Sequence, residues 1–204
     1  MIKISLVGDI GSGKTYISKL FNVNRFCADL EVKKIYRNNR KCFLILKKKF
    51  PKFIKSFPVR KKELSDVIRN NISDLKKIGL IVHPFVRKKL NLFLKKNEKK
   101  KIVVLDIPLY LENKMNEKND VIIFVKTIKK EVDKRLQKRK NFSTRILNIL
   151  RKHQLPLKKK QSKSNYILLN NFSSVIMRKK VKILKNKILN DRSSSWYRNN
   201  GLIS

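Results

Sequence analysis

Cysteine, glycine and acidic residues are all scarce in this chain of 204 residues. Its two cysteines, Cys27 and Cys42, are too few for a disulfide framework or a four-thiolate zinc site, so a reducing, cytoplasmic setting is expected. There is no run of 18 apolar residues, which argues against a membrane-spanning helix. The N-terminal run Ile2-Lys3-Ile4-Ser5-Leu6-Val7 is too short for a signal peptide and has no cleavage site, so no membrane association is expected. Internal repeats and low-complexity linkers are also missing.

At this length one domain is expected, large enough to bury roughly 70% of its extended surface. Lysine and arginine number 53 against 14 acids, a net charge of +39. Such a charge invites a polyanion partner, because basic side chains release counterions from any phosphate backbone. The distribution argues for compositional drift instead. Basic residues are spread along the whole chain, and asparagine, which has no electrostatic reason to follow lysine, is abundant too (Asn38-Asn39, Asn70-Asn71, Asn170-Asn171, Asn199-Asn200). No specific nucleic-acid partner is expected. Two stretches, 32–62 and 134–190, contain no acid and are suited to form a positive face over an anionic ligand.

Three of the five glycines fall within six residues. The stretch Gly8-Asp9-Ile10-Gly11-Ser12-Gly13-Lys14-Thr15 satisfies the phosphate-loop pattern G-x-x-x-x-G-K-[ST] at every fixed position. It follows a β-branched, apolar run and precedes Ile17, Leu20 and Phe21 at helical spacing, so strand, loop and helix are expected in that order. Glycines let backbone N–H groups close around an anion, and the helix adds its positive end. Lys14 is the expected bridge between β- and γ-phosphates, and Thr15 the expected hydroxyl ligand for Mg²⁺.

Four further strands are expected: Asn24 to Asp29, Lys101 to Asp106, Val121 to Val125 and Tyr166 to Leu169. Asp29 and Asp106 close two of them, at the edge where ligands gather in parallel sheets; Asp29 read alone fits a helix N-cap equally well. Asp106 is suited to sit near Mg²⁺, and Pro108 blocks continuation of its strand. Short helices are expected over 62–70 and 73–78, the latter stopping at Gly79, with another after His83-Pro84. A last helix runs from about Ser173 to Leu189 on Met177, Val181, Leu184 and Ile188, and the tail 191–204 is expected to be loose. Arg135 and Arg139 share one face of an arginine-rich helical stretch that also brings Arg145, Arg151, Lys152 and Gln154. Strands alternating with helices make the fold class α/β with a mostly parallel, five-stranded sheet.

In combination these elements resemble the dephospho-coenzyme A kinase family over about residues 1–190. The loop is similar to the family's G-G-I-G-S-G-K-[ST], and Cys27-Ala28-Asp29 stands where the family has D-A-D. His83-Pro84 with Arg87 resembles H-P-x-x-R, and Asp106-Ile107-Pro108-Leu109-Tyr110-Leu111-Glu112 resembles D-x-P-L-L-x-E. Arg135 and Arg139 match the lid's R-x-x-x-R. Gln154 through Lys160, with Asn165 to Asn170, is similar to Q-x-x-x-x-x-K…A-D-x-x-x-x-N.

The resemblance implies a P-loop three-layer sandwich with a helical acceptor-binding insertion and a helical lid. The core would span about 1–31, 101–133 and 161–190, the insertion 32–100 and the lid 134–160. It implies ATP-dependent phosphorylation of the ribose 3′-hydroxyl of dephospho-coenzyme A, with ATP and Mg²⁺ as cofactors, by a monomer or weak homo-oligomer. Asp29 inherits the role of base; Lys14 and Arg139 complete the catalytic set. ATP contacts would come from Gly8, Asp9, Ile10, Gly11, Ser12, Gly13, Lys14, Thr15, Arg135, Arg139 and Asn170. Acceptor-side contacts would come from Asp29, His83, Pro84, Arg87, Asp106, Pro108 and Leu109. Three positions depart from the family's pattern: Cys27 for the first Asp of D-A-D, Asp9 for the loop's second Gly, and Ser164-Asn165 for A-D. The alternatives are a P-loop kinase for a nucleoside or nucleoside monophosphate, a strand-dependent ATPase, and a binder without catalysis.

Overall fold

The computed structural model describes residues 1–138, 143–191 and 201–203. They form two compact units, Met1–Phe26 with Lys99–Ser204, and Cys27–Glu98.

The first unit is built on a sheet. In chain order its elements are β1 (Ile2–Gly8), α1 (Lys14–Leu20), β2 (Arg25–Cys27, which ends at the unit boundary), β3 (Ile102–Asp106), β4 (Val121–Lys126), α6 (Lys129–Gln137), α7 (Thr144–Lys152), α8 (Leu157–Ser162), β5 (Tyr166–Leu169), α9 (Ser174–Asp191) and β6 (Gly201–Ile203). The strands lie in the order β2-β3-β1-β4-β5-β6, and β1 pairs in parallel with both β3 and β4. β5 pairs in parallel with β4 and with β6. The chain leaves β1 toward one edge of the sheet and later returns on its other side at β4. That reversal puts the loop after β1 at the crevice where open α/β sheets bind ligands.

The alternation of β1 explains its two faces. Ile2, Ile4 and Leu6 point into a core with Ile102, Val104, Val121, Ile123, Val125, Tyr166 and Leu168. Helices α1 and α9 close that face with Ile17, Phe21, Met177, Val181, Leu184 and Ile188. The opposite face carries Ser5, Val7, Val103, Leu105, Ile122 and Phe124, all buried, as expected of strands in a parallel sheet. The five expected strands are present. The sixth, Gly201–Ile203, comes from the tail expected to be loose; Gly201 pairs with Tyr166 and Ile203 with Leu168.

The second unit is helical: α2 (Ala28–Asn38), α3 (Arg40–Lys49), α4 (Lys61–Asn70) and α5 (Asp74–Lys96). Helix α5 is its spine, burying Ile78, Val82, Val86 and Leu90 at every fourth position. Ile35, Cys42, Phe43, Leu46 and Val67 are buried with them. Asn39 caps α3, its side chain accepting from the Cys42 N–H at 2.9 Å. Sequence rules place a break at Gly79 and a fresh start after Pro84, yet α5 runs through both. Pro84 removes the donor for the Leu80 carbonyl, at a residue that is itself 65% exposed. The buried stripe holds the helix together where propensity would have ended it.

Candidate functional site

The loop after β1 folds as its glycines require. Gly13 sits at φ +86°, and a Cβ there would lie 2.6 Å from the Asn170 side-chain nitrogen. At Gly8 a Cβ would meet the Val125 carbonyl oxygen at 2.7 Å. Only glycine allows these approaches, so both positions are fixed by backbone and neighbour alike. Asn170 at the end of β5 locks the turn: its amide donates to the Ser12 carbonyl at 2.8 Å and its oxygen accepts from the Phe172 N–H at 2.8 Å. Over the Phe172 ring lies the Arg135 guanidinium, 4.1 Å from the ring centre.

Lys14, the first residue of α1, reaches back along the loop. Its Nζ donates to the carbonyls of Asp9 at 2.6 Å and Gly8 at 3.3 Å, and to Ser12 Oγ at 3.4 Å. Burial, and then the neighbouring Lys160 ammonium, lower its pKa from 10.5 to about 8. Lys160, on α8, is itself almost fully buried and donates to Gly8 O at 3.4 Å and Gln154 Oε1 at 2.7 Å. Its counterion is Glu112 at 2.8 Å. Burial alone would raise the Glu112 carboxyl, but the Lys160 ammonium and the Leu155 N–H hold it below the usual range. The Glu112 and Gln154–Lys160 segments therefore meet beneath the phosphate loop.

Thr15 is exposed, and its hydroxyl stands 3.3 Å from Asp106 Oδ1 at the end of β3. Asp106 Oδ2 accepts from Ser18 at 3.3 Å and from Arg25 at 3.0 Å. A hydroxyl beside a carboxylate oxygen is an all-oxygen donor set, the kind that suits a hard cation such as Mg²⁺. Arg25 and Ser18 carry no motif signal and were missed in the sequence; they orient Asp106 by occupying its second oxygen.

Two departures from the family pattern have explanations in the packing. Asp9 turns to α7, where Arg151 grips it with Nη2 at 2.9 Å and Nε at 3.3 Å. Asn165 opens β5: its N–H donates to Ile122 O and its Oδ1 accepts from Ile122 N, each at 2.8 Å. Ser164 bonds back to the Lys160 carbonyl at 2.7 Å. The third departure, Cys27, is buried and forms no disulfide.

Pro108 is exposed and Leu109, at φ 57°, is half-buried in the turn after β3. Asp29, His83, Pro84 and Arg87 belong to the second unit. Asp29 is exposed in the first turn of α2; the strand before it ends at Cys27, two residues earlier than the aspartate. His83 and Arg87 stand one turn apart on α5, and a Cβ at Gly79 would meet the His83 ring at 3.5 Å, an ordinary contact. Partial burial, then the Arg87 charge, depress the His83 imidazole below its ordinary pKa. Arg139 lies outside the described residues.

The family model described as Dephospho-CoA kinase matches residues 2–175. A dephospho-CoA kinase of Wolbachia sp. subsp. Brugia malayi is 31% identical over 170 residues, covering 81% of this chain and 87% of that protein. One from Bartonella henselae is 29% identical over the same length and coverage. Among solved structures, a Thermus thermophilus protein has a TM-score of 0.73 at 24% identity, covering 93% of this chain and 97% of its own. Dephospho-CoA kinase from Campylobacter jejuni has a TM-score of 0.64 at 23% identity, covering 91% and 96%. These two likenesses are of fold. By the family match, which spans most of its length, this chain belongs to the dephospho-CoA kinase family.

Proposed function

We infer that the protein is an ATP-dependent kinase that phosphorylates the ribose 3′-hydroxyl of dephospho-coenzyme A, the last step in making coenzyme A. The observation that carries the phosphoryl-transfer part is the loop itself: a glycine-shaped turn with Lys14 folded along it and Thr15 beside Asp106. The acceptor rests on family membership.

Phosphoryl transfer needs positioning and charge stabilisation more than covalent help. The loop amides and Lys14 hold the phosphates of ATP. Thr15 and Asp106 are the residues that would hold Mg²⁺, which when bound neutralises charge between the phosphates. Asp29 orients the acceptor hydroxyl and takes its proton as the new P–O bond forms. His83 and Arg87, adjacent on one face of α5, serve the anionic acceptor. Arg135, seated on Phe172, supports the nucleotide from the lid side together with Arg139. The compartment proposed is the cytoplasm, on the strength of two buried cysteines that form no disulfide.

The test is a product mass. Purified protein with Mg-ATP is offered dephospho-coenzyme A, nucleosides and nucleoside monophosphates side by side. Phosphorylation of dephospho-coenzyme A alone is expected; preference for a nucleoside or its monophosphate would overturn the acceptor assignment.

A further inference from the structure

A carboxylate inside a phosphate loop is a liability, because it opposes the anion the loop exists to bind. Asp9 is such a carboxylate. Its main chain is part of the cradle, with the Asp9 carbonyl accepting from Lys14 at 2.6 Å. Its side chain is 17% exposed and is fully engaged: Oδ1 accepts from the Ile10 N–H at 2.7 Å, and both oxygens face Arg151. Arg151 comes from α7, more than 140 residues along the chain. The same guanidinium reaches Asp133 of α6 at 3.4 Å. The Asp9 hydrogen bond and its charge hold the Arg151 pKa above its ordinary value.

Apolar packing next to this ion pair joins the same three elements. Val132 and Leu136 of α6 and Leu147 of α7 form a small core against which Ile10 and Phe172 pack. A Cβ at Gly11 would meet Leu136 and Val132 at 3.0 Å, so the loop presses directly on α6. The helices after β4 are therefore seated on the phosphate loop by an apolar cluster and one shared arginine.

We propose that Arg151 is a positioning residue for nucleotide binding: by pairing with Asp9 it cancels the charge this loop carries and ties α7 to the phosphate side of the core. The fork geometry explains why arginine occupies the position, since it meets two carboxylate oxygens at once and still reaches Asp133. A loop with an acid at this point keeps its affinity for a triphosphate because the lid supplies the compensating cation. The inference rests on the nucleotide-binding reading of the loop and is independent of the acceptor.

The experiment measures Mg-ATP affinity by calorimetry for the wild type, Arg151→Met, Asp9→Asn and the double variant, with thermal unfolding followed for each. Arg151→Met exposes the Asp9 charge to the triphosphate and is expected to weaken ATP binding on the order of tenfold. Adding Asp9→Asn to Arg151→Met removes the offending charge and is expected to recover most of that loss. Arg151→Lys, which keeps the charge without the fork, is expected to fall between the wild type and Arg151→Met, and serves alone if Arg151→Met does not fold. A double variant as weak as Arg151→Met overturns the proposal, as does unchanged affinity in Arg151→Met or Arg151→Lys. A wild type that binds no ATP would instead refute the kinase reading itself.

Discussion

The buried pair under the phosphate loop makes a sharp prediction about pH. Lys14 has its pKa lowered from 10.5 to about 8, first by burial and second by the ammonium of Lys160. That lowering corresponds to roughly 3 kcal/mol in favour of the neutral amine. Two consequences have opposite signs. Between about 8 and 10.5 the unfolded chain binds more protons at this lysine than the folded one, so its contribution to stability improves as pH rises. Affinity for ATP runs the other way, because a neutral Lys14 no longer attracts phosphate. The alkaline limb of kcat/KM for ATP, which reports the free enzyme, is expected near pH 8. The perturbation is the double variant Glu112→Gln, Lys160→Met. Removing Lys160 alone would strand Glu112, whose side chain is only 11% exposed, at a cost of about 3–5 kcal/mol. With both charges gone, burial remains but the Lys160 charge, the second cause of the shift, is absent; the Glu112 charge, a smaller opposing influence, goes with it, so the alkaline limb moves to higher pH. At pH 9 about one tenth of Lys14 is protonated in the wild type, which caps the gain at about tenfold. The readout is the ratio of kcat/KM at pH 9 to that at pH 7, taken within each variant so that the amount of folded protein cancels. A ratio that stays the same or falls in the double variant would refute the electrostatic coupling of the two lysines.

Further outcomes follow from single positions. Asp29→Asn is expected to keep ATP affinity while turnover with dephospho-coenzyme A falls by at least about a hundredfold; near-normal turnover removes Asp29 from the role of base. Gly13→Ala puts a Cβ 2.6 Å from the Asn170 amide at a φ of +86°, so a fluorescent ATP analogue should bind at least about tenfold more weakly, and unchanged binding would contradict the close approach. Leu168→Ala opens a cavity at a fully buried position between α9 and the sheet and should cost about 2–5 kcal/mol in urea unfolding; a loss under about 1 kcal/mol would mean that the core relaxes around it.

The lesson about legibility lies in which interactions are local. The phosphate loop could be read directly because its requirements are written in consecutive residues: glycines where φ is positive, a lysine, a hydroxyl, and a β-branched strand before them. Strands β3, β4 and β5 were legible for the same reason, each a short apolar run in a chain otherwise full of lysine. Helix α5 was misread at Gly79 and Pro84 because local propensity was trusted over the four-residue stripe from Ile78 to Leu90 that spans both. The strand at Gly201–Ile203 escaped because its residues pair with β5 and carry little pattern of their own.

By itself, then, the sequence determined the nucleotide loop, the parallel α/β architecture and the family, all of which depend on short segments whose backbone demands are met by neighbours in the chain. Partner choice was decided only in three dimensions. Among 53 basic residues nothing in the order of letters marks Lys160 as the cation under the loop, Arg25 as the partner of Asp106, or Arg151 as the answer to Asp9. Those pairings join residues separated by between 48 and 142 positions, and charge alone is too common in this chain to select them; burial and fork geometry do.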